Sequence, residues 1–130
     1  MLKLFINTES RYPVTRSLIS TAIENTLEER KMKGDIEVSV SIVGDRKMRE
    51  LNKKYRNIDD TTDVLSFPLE DPSDARPFVD APDNVMRLGD IVVSYPQAIE
   101  EATEENKLVD QKINELVEHG LLHLLGYHHD

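Results

Sequence analysis

The sequence of 130 residues contains no cysteine. This absence excludes disulfide bonds and thiolate metal sites, and it favours a reducing compartment. No apolar run approaches the roughly 18 residues that a membrane-spanning helix needs. The N-terminal segment turns polar at Asn7, too early for a secretory signal peptide. The chain is long enough to bury a core without covalent staples, so we expect a single domain, residues 1–130, in a soluble cytoplasmic protein.

The chain also lacks net positive charge. Its formal net charge of −9 argues at first against a nucleic-acid partner, because proteins that bind nucleic acids usually present a basic surface. The charge is unevenly distributed, however. Between Asp45 and Arg56 only two residues are acidic, and six are basic: Arg46, Lys47, Arg49, Lys53, Lys54 and Arg56. This segment is either a solvated helix face or a local basic surface that binds a polyanion.

Hydrophobic periodicity predicts four strands and four helices. The strands are expected at Leu2–Asn7, Ile36–Val43, 61–67 and 89–95. Helices are expected between Pro13 and Gly34, after a capping Asp45, over 97–106 and over 109–125. The second helix carries an apolar repeat of Met48, Leu51 and Tyr55. The order βαβαββαα predicts an α+β fold, with a mixed four-stranded sheet packed against helices.

Residues 68–88 form a proline-rich, acidic connection between the third and fourth strands. At about twenty residues it exceeds the length of a passive connection, so it is either a lid or a disordered loop. We expect it to be mobile.

All four histidines of the chain lie among its last twelve residues. His119 and His123 are four residues apart, so on a helix both imidazoles leave the same face, one turn apart. Gly126 can end that helix and let the chain fold back, which brings His129 to the same point. Three neutral imidazoles with an open fourth position are typical of a catalytic zinc site. The pattern therefore predicts that His119, His123 and His129 bind one zinc ion.

The spacing matches the zinc motif of metzincin peptidases except at Gly120, where those enzymes have a glutamate as general base. A metallopeptidase is therefore one alternative, and Gly120 weakens it. Three neutral ligands leave the metal its full double positive charge, which favours an anionic substrate. A phosphodiester fits such a site better than a peptide does.

The segment 119–129 resembles the signature of the YbeY family, the bacterial endoribonucleases of ribosomal RNA maturation. The resemblance extends in the family's order to residues 51–56, 62–68 and 88–91. It implies a zincin-like, metal-dependent endoribonuclease that is specific for single-stranded RNA. It also implies action in small-subunit ribosomal RNA maturation and ribosome quality control, and a zinc ion bound by the three motif histidines. The family's functionally important arginine corresponds to Arg56.

The chain departs from the family pattern beside the third histidine. The family usually has aspartate where this chain has His128, which makes His128 a competing ligand and removes a carboxylate that could orient an imidazole. Asp130 could substitute for that carboxylate, although a terminal residue is usually poorly fixed. The sequence does not identify a general base.

The resemblance and the charges together predict roles for several other residues. Arg56 is expected to clamp the scissile phosphate, although it could instead pair with Asp59 or Asp60. The RNA backbone would follow the basic residues Arg49, Lys53 and Lys54. Asp63 and Asp90 are expected to be hydrogen-bond acceptors at strand ends. A zinc-stabilised ribosome-associated factor without catalytic activity is the second alternative function.

Overall fold

The computed structural model describes residues 1–69 and 85–127. Within these residues the elements are β1 Leu2–Asn7, α1 Arg16–Glu29, β2 Ile36–Val43, α2 Asp45–Arg56, β3 Val64–Pro68, β4 Met86–Ser94, α3 Tyr95–Glu105 and α4 Val109–Leu124. The predicted α+β class and the order βαβαββαα are confirmed. In the same part of the chain, every helix is too short or too polar to cross a membrane.

The four strands form one mixed sheet in the order β1-β2-β4-β3. Strand β2 pairs in parallel with both β1 and β4, whereas β3 runs antiparallel to β4 at the edge. The alternation that predicted β2 is visible in its burial, since Val38, Val40 and Ile42 all face the core. Parallel pairing requires a crossover connection, which α1 supplies between β1 and β2.

The two faces of the sheet are covered unequally. Helices α1 and α4 pack on one face and bury the main core with β2 and β4, including Ile23, Val40, Ile91, Val117 and Leu121. Helix α2 covers part of the other face through a smaller cluster of Met48, Leu65 and Val92. No other helix of the described ranges 1–69 and 85–127 covers the part of this face toward β1 and β2, where the β2 side chains are partly exposed.

The bounds of two strands differ from those predicted: β3 spans Val64–Pro68 instead of 61–67, and β4 spans Met86–Ser94 instead of 89–95. Strand β4 begins at Met86, three residues earlier than predicted, and a register shift lies opposite Glu37 and Val38. Gly89 makes this irregularity possible, because its φ is +136° and a Cβ there would stand 2.2 Å from the carbonyl oxygen of Phe67. Strand β3 begins at Val64, not at residue 61, since Val64 is the first residue paired with β4; just before it, the Asp63 carboxylate accepts a hydrogen bond from the Val64 N–H at 2.7 Å.

The start of α2 also differs. Gly44 is the N-cap residue and Asp45 is the first residue of the helix, so the prediction that Asp45 caps it is wrong. A Cβ on Gly44 would stand 2.5 Å from the hydroxyl oxygen of Tyr12, so another residue at the cap would require the Tyr12 side chain to shift. Most of the connection predicted over 68–88 lies outside the described residues, so its mobility stays a prediction.

Candidate active-site cleft

A cleft of about 410 Å³ lies between the edge strand β3, the end of α2 and the last two turns of α4. It brings together three of the residues predicted from sequence, Arg56, His119 and His123, and its other walls come from Thr62, Asp63, Val64, Leu65, Ser66 and Gly120. No role was assigned to Thr62 or Ser66 from the sequence, because a single hydroxyl residue gives no pattern of its own. The cleft joins residues that are more than sixty positions apart in the chain.

The two histidines lie side by side on α4. Their ring centroids are 4.6 Å apart, with the planes inclined by 41°. Both side chains are half-buried, and the Nε2 atom of His123 is fully buried. The helix is held against the sheet by Val117, Leu121 and Leu124, so the imidazoles are presented from a rigid element.

This arrangement fits part of a metal site. Two adjacent imidazoles on one helical face can act as two neutral nitrogen ligands to one ion. Among residues 1–69 and 85–127, no three side chains of histidine, aspartate or glutamate converge in a metal-binding group. The predicted third ligand, His129, lies outside those residues, as do His128 and Asp130.

Gly120 packs directly against the sheet. A Cβ at this position would stand 2.7 Å from Cγ2 of Ile91 and 3.4 Å from Cγ2 of Val64. Because Ile91 is fully buried and β-branched, it cannot move aside easily. The helix can approach β3 and β4 this closely only with glycine, so position 120 has no room for the glutamate of a metzincin peptidase.

Arg56 is the last residue of α2, and local backbone geometry directs it to the cleft. Asn57 adopts a left-handed conformation, with φ 59°, and its N–H donates to the Lys53 carbonyl oxygen at 3.1 Å. The chain therefore turns sharply after Arg56. Buried Asn52 holds the following loop by donating from Nδ2 to the carbonyl oxygen of Asp60 at 3.0 Å.

The sequence left open whether Arg56 pairs with Asp59 or Asp60. Asp59 pairs instead with Arg49, whose Nε lies 2.9 Å from the carboxylate. This contact holds the pKa of Asp59 below its usual value and raises the pKa of Arg49. No ion pair of Arg56 with another described residue is formed, so its exposed guanidinium is available to an anion at the cleft.

The other predicted RNA contacts lie along the exposed side of α2. Lys53 and Lys54 belong to its last turn, next to Arg56. The Nζ of Lys54 stands 5.2 Å from the ring centroid of Tyr55. Arg49 lies farther from the cleft and is engaged with Asp59. The cationic surface next to the cleft is therefore formed by Lys53, Lys54 and Arg56.

Asp45 holds Thr61, the residue before the cleft residue Thr62, and this role was not evident from its sequence context. Its Oδ1 atom accepts hydrogen bonds from the hydroxyls of Thr61 at 2.9 Å and Ser94 at 2.8 Å, and from Nε2 of Gln97 at 3.2 Å. These donors belong to the loop before β3, to the end of β4 and to α3. One carboxylate thus links the start of α2 to the loop before β3 and to the junction of β4 with α3.

A group of charged residues lies behind the wall that Asp63 forms. The Nζ of Lys112 in α4 is 2.6 Å from Glu105 and 3.4 Å from Glu101, both in α3. These contacts, and above all the hydrogen bond with Glu105, raise the pKa of Lys112. Burial raises the pKa of Glu101, and the neighbouring carboxylate of Asp63 adds to this effect. Asp63 is therefore joined both to the cleft and to the α3–α4 interface.

The two aspartates predicted to be strand-end acceptors behave differently. Asp63 has that role, because its carboxylate accepts the Val64 N–H just before β3. Asp90 does not: it lies within β4, paired with Ser39 on one side and Phe67 on the other, and it is exposed. The described part of the chain offers its carboxylate no hydrogen bond, so that prediction is wrong for Asp90.

Known proteins with similar sequences identify the family of this chain. The family model described as Endoribonuclease YbeY matches residues 5–130. Endoribonuclease YbeY of Moorella thermoacetica is 39% identical over 127 residues, which cover 95% of this chain and 81% of the relative. Endoribonuclease YbeY of Caldanaerobacter subterraneus is 41% identical over 117 residues, which cover 88% of this chain and 74% of the relative.

A solved structure agrees with these matches. The solution structure of TM1509 from Thermotoga maritima superposes with a TM-score of 0.58 at 30% sequence identity, and the match covers 100% of this chain and 75% of that one. The resemblance noted in the histidine segment and in residues 51–56, 62–68 and 88–91 thus belongs to a match that extends over residues 5–130. The chain belongs to the Endoribonuclease YbeY family of hydrolases that act on RNA.

Proposed function

We propose that the cleft cleaves single-stranded RNA with one zinc ion held by His119, His123 and His129, and that its substrate is ribosomal RNA of the small subunit. The observation that carries this proposal is the meeting of Arg56 with the pair His119 and His123 in one cleft. A guanidinium that can bind phosphate beside two imidazoles that can bind a metal is an arrangement suited to phosphodiester cleavage.

The proposed mechanism assigns separate tasks to the two walls of the cleft. A bound divalent ion supplies Lewis acidity on the α4 side. On the α2 side, Arg56 binds the scissile phosphate through two parallel N–H donors and offsets the negative charge that develops during cleavage. On the α4 wall, the half-buried histidines are held in place by the packing of the helix. The hydroxyls of Thr62 and Ser66, which also line the cleft, can donate to phosphate or ribose oxygens.

Lys53 and Lys54 extend the proposed RNA path away from Arg56. Both belong to the last turn of α2, on a chain whose net charge is −9. Their local charge attracts the RNA backbone without sequence preference and makes binding sensitive to salt. Arg49 has a smaller part in this path because it pairs with Asp59.

The proposed biological role is maturation and quality control of the small ribosomal subunit in the cytoplasm. Membership of the Endoribonuclease YbeY family supports it. The metallopeptidase alternative is disfavoured, since Gly120 is fixed by its contact with Ile91 and leaves no room for a glutamate base. A ribosome-associated factor without catalytic activity is the alternative that an experiment has to separate.

The decisive experiment incubates metal-replete protein with small-subunit ribosomal RNA in single-stranded and duplex form and maps the fragment ends. We expect zinc-dependent cleavage of single strands only. The variants His123→Ala and His129→Ala should lose both zinc and cleavage, while His128→Ala is the matched control that keeps both. Zinc is measured by elemental analysis.

Each outcome of this experiment has one meaning. Full zinc occupancy in His123→Ala would remove that residue from the metal site. Loss of zinc in His128→Ala but not in His129→Ala would show that His128, and not His129, is the third ligand. Ribosome binding by the wild-type protein with no turnover of any RNA would establish the non-catalytic alternative.

A further inference from the structure

A second groove lies around the end of α2 from the cleft, on the open face of the sheet. Its volume is about 420 Å³, and its floor and walls include Asn7, Ser39, Ser41, Tyr55, Phe67 and Asp90. It has one aromatic wall and a polar floor. The residues proposed for RNA cleavage leave this groove unused.

The aromatic wall is a pair of rings in contact. The centroids of Tyr55 and Phe67 are 4.9 Å apart, with the planes inclined by 60°. Phe67 is anchored beside the small core cluster under α2, whereas Tyr55 has 56% of its surface exposed. Tyr55 continues the helical repeat of Met48 and Leu51, as predicted, but it is not buried with Met48. An exposed ring held by a second ring offers a fixed stacking surface.

The polar floor carries both donors and acceptors. Ser39 lies between Phe5 and Asp90 in the register of the sheet, and Asp90 lies between Ser39 and Phe67. Within the described ranges, the side chains of Asn7, Ser39 and Asp90 make no hydrogen bond to protein. Hydroxyl, amide and carboxylate groups on such a floor can bind the edge of a planar heterocycle whose face lies on Tyr55.

The groove and the cleft share no lining residue, but two pairs of adjacent residues bring them close together around the end of α2 and the edge strand β3. Arg56 lines the cleft and Tyr55 lines the groove, at the end of α2. Ser66 lines the cleft and Phe67 lines the groove, because neighbouring residues of β3 face opposite sides. An RNA strand with a phosphate on Arg56 therefore has a neighbouring nucleotide within reach of Tyr55.

We propose that this groove binds a nucleobase of the RNA strand, stacked on Tyr55 and Phe67, one or two nucleotides from the phosphate held by Arg56. The proposal rests on the proposed function and names a binding subsite for its substrate. The charge next to the groove favours RNA over a protein segment as occupant, since Lys53, Lys54 and Arg56 suit the phosphates that flank a base. Single-stranded RNA can splay a base into such a groove, whereas a duplex keeps its bases stacked.

The test is a double-mutant cycle between protein and RNA. The titrated proteins are the metal-replete wild type, Tyr55→Ala and Tyr55→Phe. The ligand is a single-stranded 2′-O-methyl RNA, which cannot be cleaved through its own 2′-hydroxyl. In a series of such RNAs, one abasic nucleotide occupies each position of the strand in turn. Binding is read by fluorescence anisotropy. Leu18→Ala is the matched control, because Leu18 is an exposed apolar residue of α1, which packs on the other face of the sheet.

We expect one abasic position to weaken binding to the wild-type protein by roughly 5- to 100-fold, the range for loss of one stacked base. Tyr55→Ala should weaken binding of intact RNA by a similar factor and abolish the penalty at that position. In Tyr55→Phe and in Leu18→Ala, the abasic nucleotide at that position should still weaken binding as it does in the wild-type protein. A penalty that is unchanged in Tyr55→Ala would overturn the subsite.

The two proposals fail in different ways. If the wild-type protein neither binds nor cleaves single-stranded RNA, the proposed function itself is wrong. If it does both and Tyr55→Ala is indistinguishable from Leu18→Ala, only the subsite is wrong. If Tyr55→Ala leaves RNA binding intact but abolishes association with a ribosomal protein, the groove is a protein-docking surface and the proposal is overturned.

Discussion

Gly120 and Ile91 are in such close contact that a single added carbon on the helix would stand 2.7 Å from Cγ2 of the isoleucine. The contact fixes the depth at which α4 lies on the sheet. It thereby fixes the position of the two histidines that flank Gly120 on the same helix. The glycine that distinguishes this chain from metzincin peptidases is thus explained by packing.

The contact between Gly120 and Ile91 predicts whether replacing the glycine raises or lowers the free energy of unfolding. In an unobstructed helix, Gly→Ala stabilises by about 1 kcal/mol. Here Gly120→Ala should instead lower the free energy of unfolding by about 1–3 kcal/mol, because it overfills the interface. Urea denaturation would measure the change. In an Ile91→Ala background the same substitution should become neutral or stabilising, and an equal effect in both backgrounds would contradict the explanation.

Arg56 provides a test of phosphate recognition. Arg56→Ala should lower kcat/KM on single-stranded RNA by on the order of 100-fold, the size of effect that follows loss of one charge-stabilising group. Zinc content should not change. Arg56→Lys should restore only part of the activity, because an ammonium cannot form the two parallel hydrogen bonds of a guanidinium. An unchanged rate in Arg56→Ala would remove this residue from the mechanism.

Lys53 provides a test of the proposed RNA path along the last turn of α2. If it contacts one phosphate, Lys53→Ala should reduce the slope of log affinity against log salt by roughly 0.7, the contribution of one single-strand contact. Lys33→Ala is the matched control, since Lys33 is exposed in the segment between α1 and β2. Equal slopes for both variants would show that RNA does not follow the end of α2.

Lys112 links helices α3 and α4 through three carboxylates while its side chain is only 11% exposed. Lys112→Met keeps the volume and leaves Glu101, Glu105 and Glu115 without this partner. We expect the free energy of unfolding to fall by about 1–3 kcal/mol at neutral pH. Thermal unfolding, with exposed Lys33→Met as control, would detect the loss.

The same substitution has a defined pH dependence. Hydrogen bonds from Lys112 to Glu105 and from Lys107 to Glu115 hold the pKa values of these two carboxyl groups below their usual 4.5. A carboxyl group with a lowered pKa adds stability above its unfolded pKa and loses it as pH falls through the folded value. The penalty of Lys112→Met should therefore shrink below pH 4.5. A constant penalty down to the acid limit would contradict the assignment.

The contribution of Glu101 to stability should depend on pH in the opposite direction. Its pKa is raised by burial and by the carboxylate of Asp63, so the native state holds this proton more tightly than the unfolded chain does. Its contribution to stability therefore falls as pH rises from 4.5 through the folded pKa. Glu101→Gln should gain stability relative to wild type above that range and match it at lower pH. Unfolding curves at several pH values would show a constant difference if this were wrong.

The sequence predicted those features of the site that depend on local geometry. His119 and His123 lie on one helical face because their spacing alone decides it. Sequence spacing could not predict contacts made across the fold. The choice of Arg49 as the partner of Asp59, which leaves Arg56 for the cleft, depends on the turn at Asn57. The role of Asp45 requires Ser94 and Gln97 to be folded against it.

The pattern of α2 shows why helical periodicity alone was insufficient. Met48, Leu51 and Tyr55 lie on one stripe, yet Met48 is fully buried and Tyr55 is mostly exposed. The stripe is covered only where β3 and β4 reach beneath it, and this depends on the extent of the sheet. Periodicity predicted the face of the helix correctly but not where its burial ends.

The order in which the chain is synthesised has a consequence for the nuclease. The wall that bears Arg56 is made first, and the wall that bears His119 and His123 comes with α4, after every strand of the sheet. Strand β2 must also pair in parallel with β4, some fifty residues later, and such distant pairings form slowly. A nascent chain still on the ribosome and lacking α4 therefore has no complete cleft. The cleft is therefore completed only when α4 packs against a sheet whose strands have all been made.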